Sequence, residues 1–436
     1  YFDDTNPADL MDTAIKGMLD ELDPYTQYYN EQDVEASRIN NTGDYTGIGA
    51  SVRTTKDKLI IVEPYKDYPA DKAGLKAGDE IIKVGNTLVA DFKDDAGELL
   101  KGAAGTSVEV TYTRQGKTAK ATIDRSEVDI SAVPHFSMVD DKTGYVVLSK
   151  FTRSASKEVK NAIRELKVKG ADKLILDLRS NPGGLLLEAV NIVNLFVPKG
   201  QLVVTTKSKV KKFNKTYYTQ NEPLDTKIPV VVLINGSSAS ASEIVSGALQ
   251  DLDRAVVVGS RSFGKVLVQR PRPLTYGTQL KITISRYYTP SGRCIQSLDY
   301  WNRDKDGNAV RISKDNYSEF KTKNGRPVFD GGGVMPDVDM NIVNNKSIVD
   351  AIVESNLVFD YATNYYYKNQ GKDISDFIFS DADYNDFKRY LKSNNFTFET
   401  KTEKLLDKAI KSAKDEDLLN DISAEYSALT QRLSTS

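Results

Sequence analysis

The chain has 436 residues, 28% of them charged, with a formal net charge of −2. At roughly 100–200 residues per domain this length suggests about two to four units, and the near-neutral balance gives no footprint of a nucleic-acid or membrane-surface binder. No apolar run approaches the roughly 20 residues of a membrane span, and no basic-then-apolar leader opens at Tyr1, so the compartment stays open. Cys294 is the only cysteine and His135 the only histidine. An internal disulfide framework and a cysteine zinc site are therefore excluded, and any histidine-based mechanism must pass through His135. That residue sits in VPHFSM before a strand-like YVVLSKF, a setting typical of a structural or solvated histidine.

In chain order, residues 1–44 read as helical. Leu10, Ala14, Met18 and Leu22 recur at i, i+4 spacing and Asp23-Pro24 ends the run. Such a helix would pack on the body or on a partner chain. Residues 45–127 read as a small β-rich domain. YTGIGASV is a Gly-punctuated loop entering a strand, LIIVEPY and DEIIKVG are strands, and PADKAGLKAGD is a short helix ending at Gly74. DDAGELLKG is expected to be a helix, and SVEVTYTR and AKATIDR a pair of strands about Gly116. Residues 128–345 alternate strands and helices. KLILDL, PVVVLI and AVVV are continuous apolar runs, as in a parallel sheet covered on both faces. From residue 346 the pattern is helical again. The fold class is α/β multidomain.

Two segments carry the chemistry. In NGSSASASEIVSGALQD (235–251) a strand turns through small residues into a helix. A serine at the helix start has free N–H groups and the positive end of the helix dipole beside it, which can hold an oxyanion. Serine is also a preferred N-cap, and composition does not rank Ser237, Ser238, Ser240 and Ser242. In RAVVVGSRSFGKVLVQ (254–269), Lys265 lies between apolar stretches. A lysine in apolar surroundings loses its charged form readily and can serve as base where histidine is missing; otherwise it is a strand-end lysine pointing to solvent. The paired glycines of NPGGLLLEA (181–189) would let backbone amides approach a ligand and supply a second oxyanion donor, or else form a tight turn with Pro182.

Three decoys fall away. GSRSFGKV (259–266) nearly matches the phosphate-binding loop, but Val266 stands where that motif has Ser or Thr, and a strand follows instead of a helix. SASK (154–157) has its K-T-G on the wrong side and no S-D-N. No G-x-S-x-G elbow surrounds a candidate serine.

Together LDPYTQYY, YTGIGASV, PADKAGLKAGDEIIKV, LILDLRSNPGG, SASASEIVSGALQD, VVGSRSFGKVLVQ, YYTPSGRCIQ and GGGVMPDV resemble the carboxy-terminal processing (tail-specific) proteases over most of the chain. The resemblance implies a crotonase-like α/β core, an inserted PDZ module and helical terminal regions. It places the nucleophile on Ser240, the general base on Lys265 and a lysine-orienting residue on Gln269. The oxyanion amides fall on Ala241 and on a glycine of the Gly183-Gly184 pair, preferentially Gly184, and the carboxylate-binding loop on Gly47, Ile48 and Gly49. Asp251 matches an acid of structural role. The resemblance further implies protein or peptide substrates with free C-termini, a periplasmic or cell-envelope setting, pairing of two chains through the terminal helical regions, and no metal or organic cofactor. Two points depart from the pattern. Val266 replaces the usual glycine and, being β-branched, stiffens the backbone beside Lys265. Gln269 lies four extended residues, about 13 Å, from Lys265. The rival readings are a catalytically silent PDZ scaffold and an acyl-CoA-type enzyme; nothing in the latter explains Lys265 or the PDZ-like segment.

Overall fold

The structure is a computed structural model describing residues 6–55, 57–92, 95–305, 307–340, 346–369 and 377–434. Its contacts divide the chain into two bodies, residues 1–46 with 127–342 and residues 47–126 with 343–436.

The first body is organised by the apolar runs. Its six-stranded sheet has the order His135–Met138, Thr143–Val147, Lys173–Asp177, Val230–Ile234, Val256–Gly259, Val338–Asp339. The first pair is antiparallel and the rest are parallel. The crossover helices Ala155–Val168, Leu186–Asn194 and Ala241–Asp251 contribute Val159, Ile163, Val193, Ile244 and Leu249 to one core with Leu174, Leu176, Val230 and Val232. The expectation of a sheet buried on both faces is corrected: the residues between them, Ile175, Val231 and Leu233, are only half-buried and Val256 is exposed, so one face lies in the core and the other is partly open.

A second, antiparallel sheet was not foreseen. The Gln279–Tyr288 strand is its spine and pairs with Leu267–Pro273, Leu202–Lys207 and the short Gln27–Tyr29 strand. The helical reading of residues 1–44 is thereby corrected beyond Asp23-Pro24, where a short strand intervenes. Helices Pro7–Asp20 and Glu31–Thr42 flank the Gln27–Tyr29 strand, which extends because its partner lies some 250 residues away. The apolar stripe of the first helix stays largely exposed at Leu10 and Met18, as does Leu22 just beyond its end.

In the second body a sheet runs Ala50–Thr54, Leu59–Pro64, Glu80–Val84, Ser107–Arg114, Lys117–Asp124 around Leu59, Ile61, Leu75, Ile81, Val110 and Ile123. The last two strands form the expected hairpin, turning on Gln115 and Gly116, both at positive φ as a two-residue primed turn requires. DDAGELLKG does not make an α-helix; Ala96–Leu100 is a five-residue 3₁₀ turn capped by Asp95, and Asp94 lies outside the described residues. The C-terminal helices Lys346–Glu354, Leu357–Lys368, Asp381–Ser393, Lys401–Asp415 and Leu419–Ser434 belong to this body. Asp360 pairs with Arg53, and Thr363 sits so close to Gly78 that a Cβ there would meet its methyl at 2.3 Å. The expected boundary at 345 falls outside the described residues.

Candidate active site

Four serines crowd the turn after the Val230–Ile234 strand, and their surroundings separate them. Ser238 Oγ donates to the Leu178 carbonyl and Ser242 Oγ to the Asn181 carbonyl, both fully buried, so both hydroxyls hold the turn together. Ser237 is exposed. Ser240 stands at the N-cap of the Ala241–Asp251 helix with φ 56° and ψ −110°. A non-glycine residue in that region costs about 1–3 kcal/mol and is retained where the surroundings impose it. Gly183 packs directly against this residue; a Cβ on it would lie 2.9 Å from Ser240 Cβ and 2.7 Å from the Ala239 carbonyl oxygen.

The two glycines differ in what their amides do. Gly183 N–H donates to Asn181 Oδ1 at 2.9 Å. Among the described residues neither Gly184 N–H nor Ala241 N–H has an acceptor within the protein. Gly184, at φ 144°, is pressed onto Phe151, whose carbonyl oxygen would be 2.4 Å from an added Cβ, so no other residue fits there.

The sequence reading missed Glu243. It lies fully buried in the first turn of the helix, and its carboxylate gathers four donors. Oε1 accepts from Ser262 Oγ and Gly264 N–H, both at 2.6 Å. Oε2 accepts from Ser240 N–H at 2.8 Å and Lys265 N–H at 2.9 Å. One oxygen thus holds the backbones of Ser240 and Lys265 within about 6 Å of each other. Burial lifts the Glu243 carboxyl to about 7, against the pull of those donors. The signal was present in sequence as the S-x-x-E capping-box spacing of Ser240 and Glu243.

Lys265 is lowered to about 8, first by burial and then by the Lys281 charge, while Asp23 and Glu243 favour its charged form. Its ammonium lies 3.8 Å from the centroid of the Tyr25 ring, a cation–π contact supplied by the LDPYT segment. Among the described residues no hydrogen bond joins Lys265 Nζ to Ser240 Oγ or to Gln269. Gln269 instead donates from Nε2 to Thr283 Oγ1 at 3.1 Å, and Thr283 Oγ1 donates to Asp23 Oδ1 at 3.1 Å. A register shift between Val268 and Gln269 turns that side chain. Asp23 also accepts from the Tyr25 and Thr26 amides and from Thr26 Oγ1. The N-terminal segment and Gln269 therefore form one network beside the lysine, and nothing in the local sequence pattern places Tyr25 or Asp23 there.

Val266 departs from the expected glycine without entering the site. Its side chain is fully buried in the main core and its N–H donates to Gln296 Oε1. His135 is exposed on the edge strand of the six-stranded sheet, three strands from the one that leads to Ser240, and bonds Ser137 Oγ. Asp251, at the other end of the helix, forms a fully buried ion pair with Arg293 at 2.8 Å. In the second body Ile48 and Gly49 N–H have no acceptor among the described residues, while the Ile48 and Gly49 carbonyls accept from Ala70 and Tyr65. Gly49 has φ 71° and a Cβ would strike Tyr68. The loop of Gly47, Ile48 and Gly49 so presents free amides at the start of the Ala50–Thr54 edge strand. No group of three or more potential metal-ligating side chains occurs among the described residues, and no helix among them is long and apolar enough to cross a membrane.

Comparison with known proteins agrees with this architecture. Residues 142–299 match peptidase family S41, residues 46–124 the PDZ domain, and residues 348–436 the "Probable PDZ-protease, C-terminal helical domain". A carboxy-terminal-processing protease of Bartonella bacilliformis is 38% identical over 296 residues, covering 66% of this chain and 68% of that protein. A CtpA-like serine protease of Staphylococcus haemolyticus is 35% identical over 299 residues, covering 68% of this chain but only 60% of its own length. Among solved structures, the photosystem II D1 C-terminal processing protease is 29% identical and aligns over 78% of this chain and 84% of its own, with a loose TM-score of 0.43. The chain belongs to the carboxy-terminal-processing proteases, serine peptidases of family S41.

Proposed function

We propose that the chain is an endopeptidase that cleaves protein substrates near their C-termini by a Ser–Lys mechanism on a crotonase-like core. The observation that carries this is the single Glu243 oxygen shared by the Ser240 and Lys265 amides. It holds a strained serine and a lysine of lowered pKa side by side, so that rotation of the lysine side chain off Tyr25 brings its amine toward the serine hydroxyl. Neutral Lys265 takes the Ser240 proton as Oγ attacks the scissile carbonyl carbon. The tetrahedral oxyanion receives hydrogen bonds from Gly184 and Ala241 N–H. Collapse breaks the C–N bond, and the Lys265 ammonium returns the proton to the leaving amine. Lys265 then deprotonates water, which attacks the acyl-enzyme and restores Ser240. Gln269 acts at one remove, through Thr283, by fixing the Asp23 carboxylate whose charge bears on Lys265.

The PDZ module, taken as residues 45–127 between the N-terminal region and the core at 128–345, receives substrate C-termini on the Ile48 and Gly49 amides and gates cleavage. The helical region from 346 and the exposed stripe of the first helix pair two chains. The family setting makes the site of action periplasmic or cell-envelope. A fluorophosphonate probe mapped by mass spectrometry tests the mechanism: Ser240 should be labelled, labelling should vanish in Ser240→Ala and fall by ~10²–10⁴ in Lys265→Ala, and His135→Ala should label as wild type. The silent-scaffold reading, favoured only by the lysine's position over Tyr25, requires no labelling at all.

A further inference from the structure

Beside the base lies a cleft of about 830 Å³ in the first body. Leu267, two residues beyond Lys265, and Asp23 form part of its wall. It opens where the second sheet is interrupted. On one side the Gln279–Tyr288 strand pairs with Leu267–Pro273 from 279 to 286, with a bulge at Ile284; on the other it pairs with Gln27–Tyr29 only at 279–281 and with Leu202–Lys207 only at 286–288. Residues 282–285 face the gap. Their backbone is already engaged, since Thr283 N–H donates to Thr26 Oγ1 and Ser208 Oγ donates to the Ile284 carbonyl. A peptide cannot extend the sheet there without displacing those bonds, so recognition in the cleft falls to side chains.

Those side chains have a definite chemistry. Lys207 and Arg286 are directly opposite each other across the two strands, an arrangement that is unfavourable for like charges. Both are exposed cleft residues, and Lys209 lines the cleft as well. None of the three forms a salt bridge among the described residues. The carboxylate that feels Arg286, Asp299, has its oxygens occupied by Asn302 and the Trp301 amide. Asp23, the acid in the wall, is buried and spent on its own network. Below the cations the surface is apolar, with Ile282, Ile284 and Phe213, and Trp301 stands on the rim 85% exposed.

Resting on the peptidase reading, we propose that this cleft selects substrates carrying an acidic residue next to a large apolar one, the carboxylate bridging Lys207 and Arg286 and the apolar side chain lying on Ile282, Ile284 and Phe213. An anion there relieves the cross-strand repulsion, and the cleft has the size range of a ligand site. Fluorescence anisotropy with the Ser240→Ala protein tests this without any turnover, using a ten-residue Phe-Glu-containing peptide and its Gln twin. The Glu peptide should bind roughly fivefold tighter at low salt. Lys207→Gln and Arg286→Gln should each bring that ratio below about twofold, as should 300 mM NaCl. Arg286→Gln should not melt below the parent, because it removes a repulsion, whereas Lys207→Gln also gives up the 4.3 Å contact of its ammonium with the Tyr288 ring, so its binding is read against its own melting curve. Equal binding of the twins, or a preference that survives both substitutions, would overturn the proposal. Equal binding together with cleavage of both twins by the wild type leaves the peptidase reading intact; acid preference in binding with no cleavage by the wild type upholds the cleft and removes the peptidase reading.

Discussion

Replacing Lys265 by methionine should raise stability at pH 7 while removing the proposed base. The side-chain length is kept and the charge is removed from a largely buried site. Lys265 titrates near 8 in the folded chain against 10.5 when unperturbed. Below pH 8 the folded state carries a charge that its surroundings disfavour, a cost of about 3 kcal/mol from that difference. The Tyr25 ring returns ~1 kcal/mol to the charged form, which leaves about 2 kcal/mol in favour of the variant at pH 7. The sign of the pH dependence follows. Between the folded and unfolded pKa values the unfolded chain binds more protons, so wild-type stability rises with pH through this window and the gap narrows to about 1 kcal/mol at pH 9.5. Urea titrations of both proteins by circular dichroism at pH 7, 8.5 and 9.5 measure it, and with an m-value of about 3 kcal/mol/M the midpoint gap at pH 7 is roughly 0.7 M. Tyr25, raised by burial, begins to matter above pH 10, outside this range. A variant less stable than wild type at pH 7, or a gap that does not shrink with pH, would refute the account of Lys265.

The peptidase rate should rise tenfold per pH unit and level off near pH 8 as Lys265 loses its proton; a limb near 6.5 that disappears in His135→Ala would contradict this. Glu243→Gln offers one carbonyl oxygen where four donors need two, so fluorophosphonate labelling of Ser240 should slow at least about tenfold and stability fall by about 1–3 kcal/mol; labelling at the wild-type rate would show that the shared carboxylate does not align the pair. A substrate with a free apolar C-terminus should be cleaved faster than its amidated twin, and deletion of the PDZ module should abolish the difference; if a non-cleavable tail peptide only competes with a small reporter and never accelerates its hydrolysis, the module tethers and does not gate. Light scattering at micromolar concentration should give the mass of two chains, and a strictly monomeric mass would count against pairing through the terminal helices.

Much of the first body was legible because its physics is local. The apolar runs in KLILDL, PVVVLI and AVVV place Leu174, Leu176, Val230, Val232 and Val257 in one core, and in the second body the turn at Gln115-Gly116 lies within its own hairpin. The Ser240 and Lys265 segments were readable as motifs, but four serines in six positions were not separable until backbone angles and hydroxyl partners distinguished them. Glu243 could have been read from its capping-box spacing. Tyr25 and Asp23 could not: their role depends on a strand pairing that links Gln27 to Lys281, and no local pattern records it. The Ala96–Leu100 segment carries apolar residues at helical intervals yet forms only a short 3₁₀ turn, with a glycine at its second position and Asp95 accepting from Gly97 N–H at its start.

The N-terminal strand has a consequence in time. The Tyr29–Lys281 hydrogen bond spans 252 positions, so at a synthesis rate of roughly 5–20 residues per second the LDPYT segment waits some tens of seconds for its partner strand to emerge. A nascent chain can already display the PDZ fold while the Tyr25 ring and the Asp23 network have nothing to close upon. The environment of Lys265 is therefore finished only after residues 279–288 have emerged, long after the segment that supplies Tyr25 and Asp23 was made.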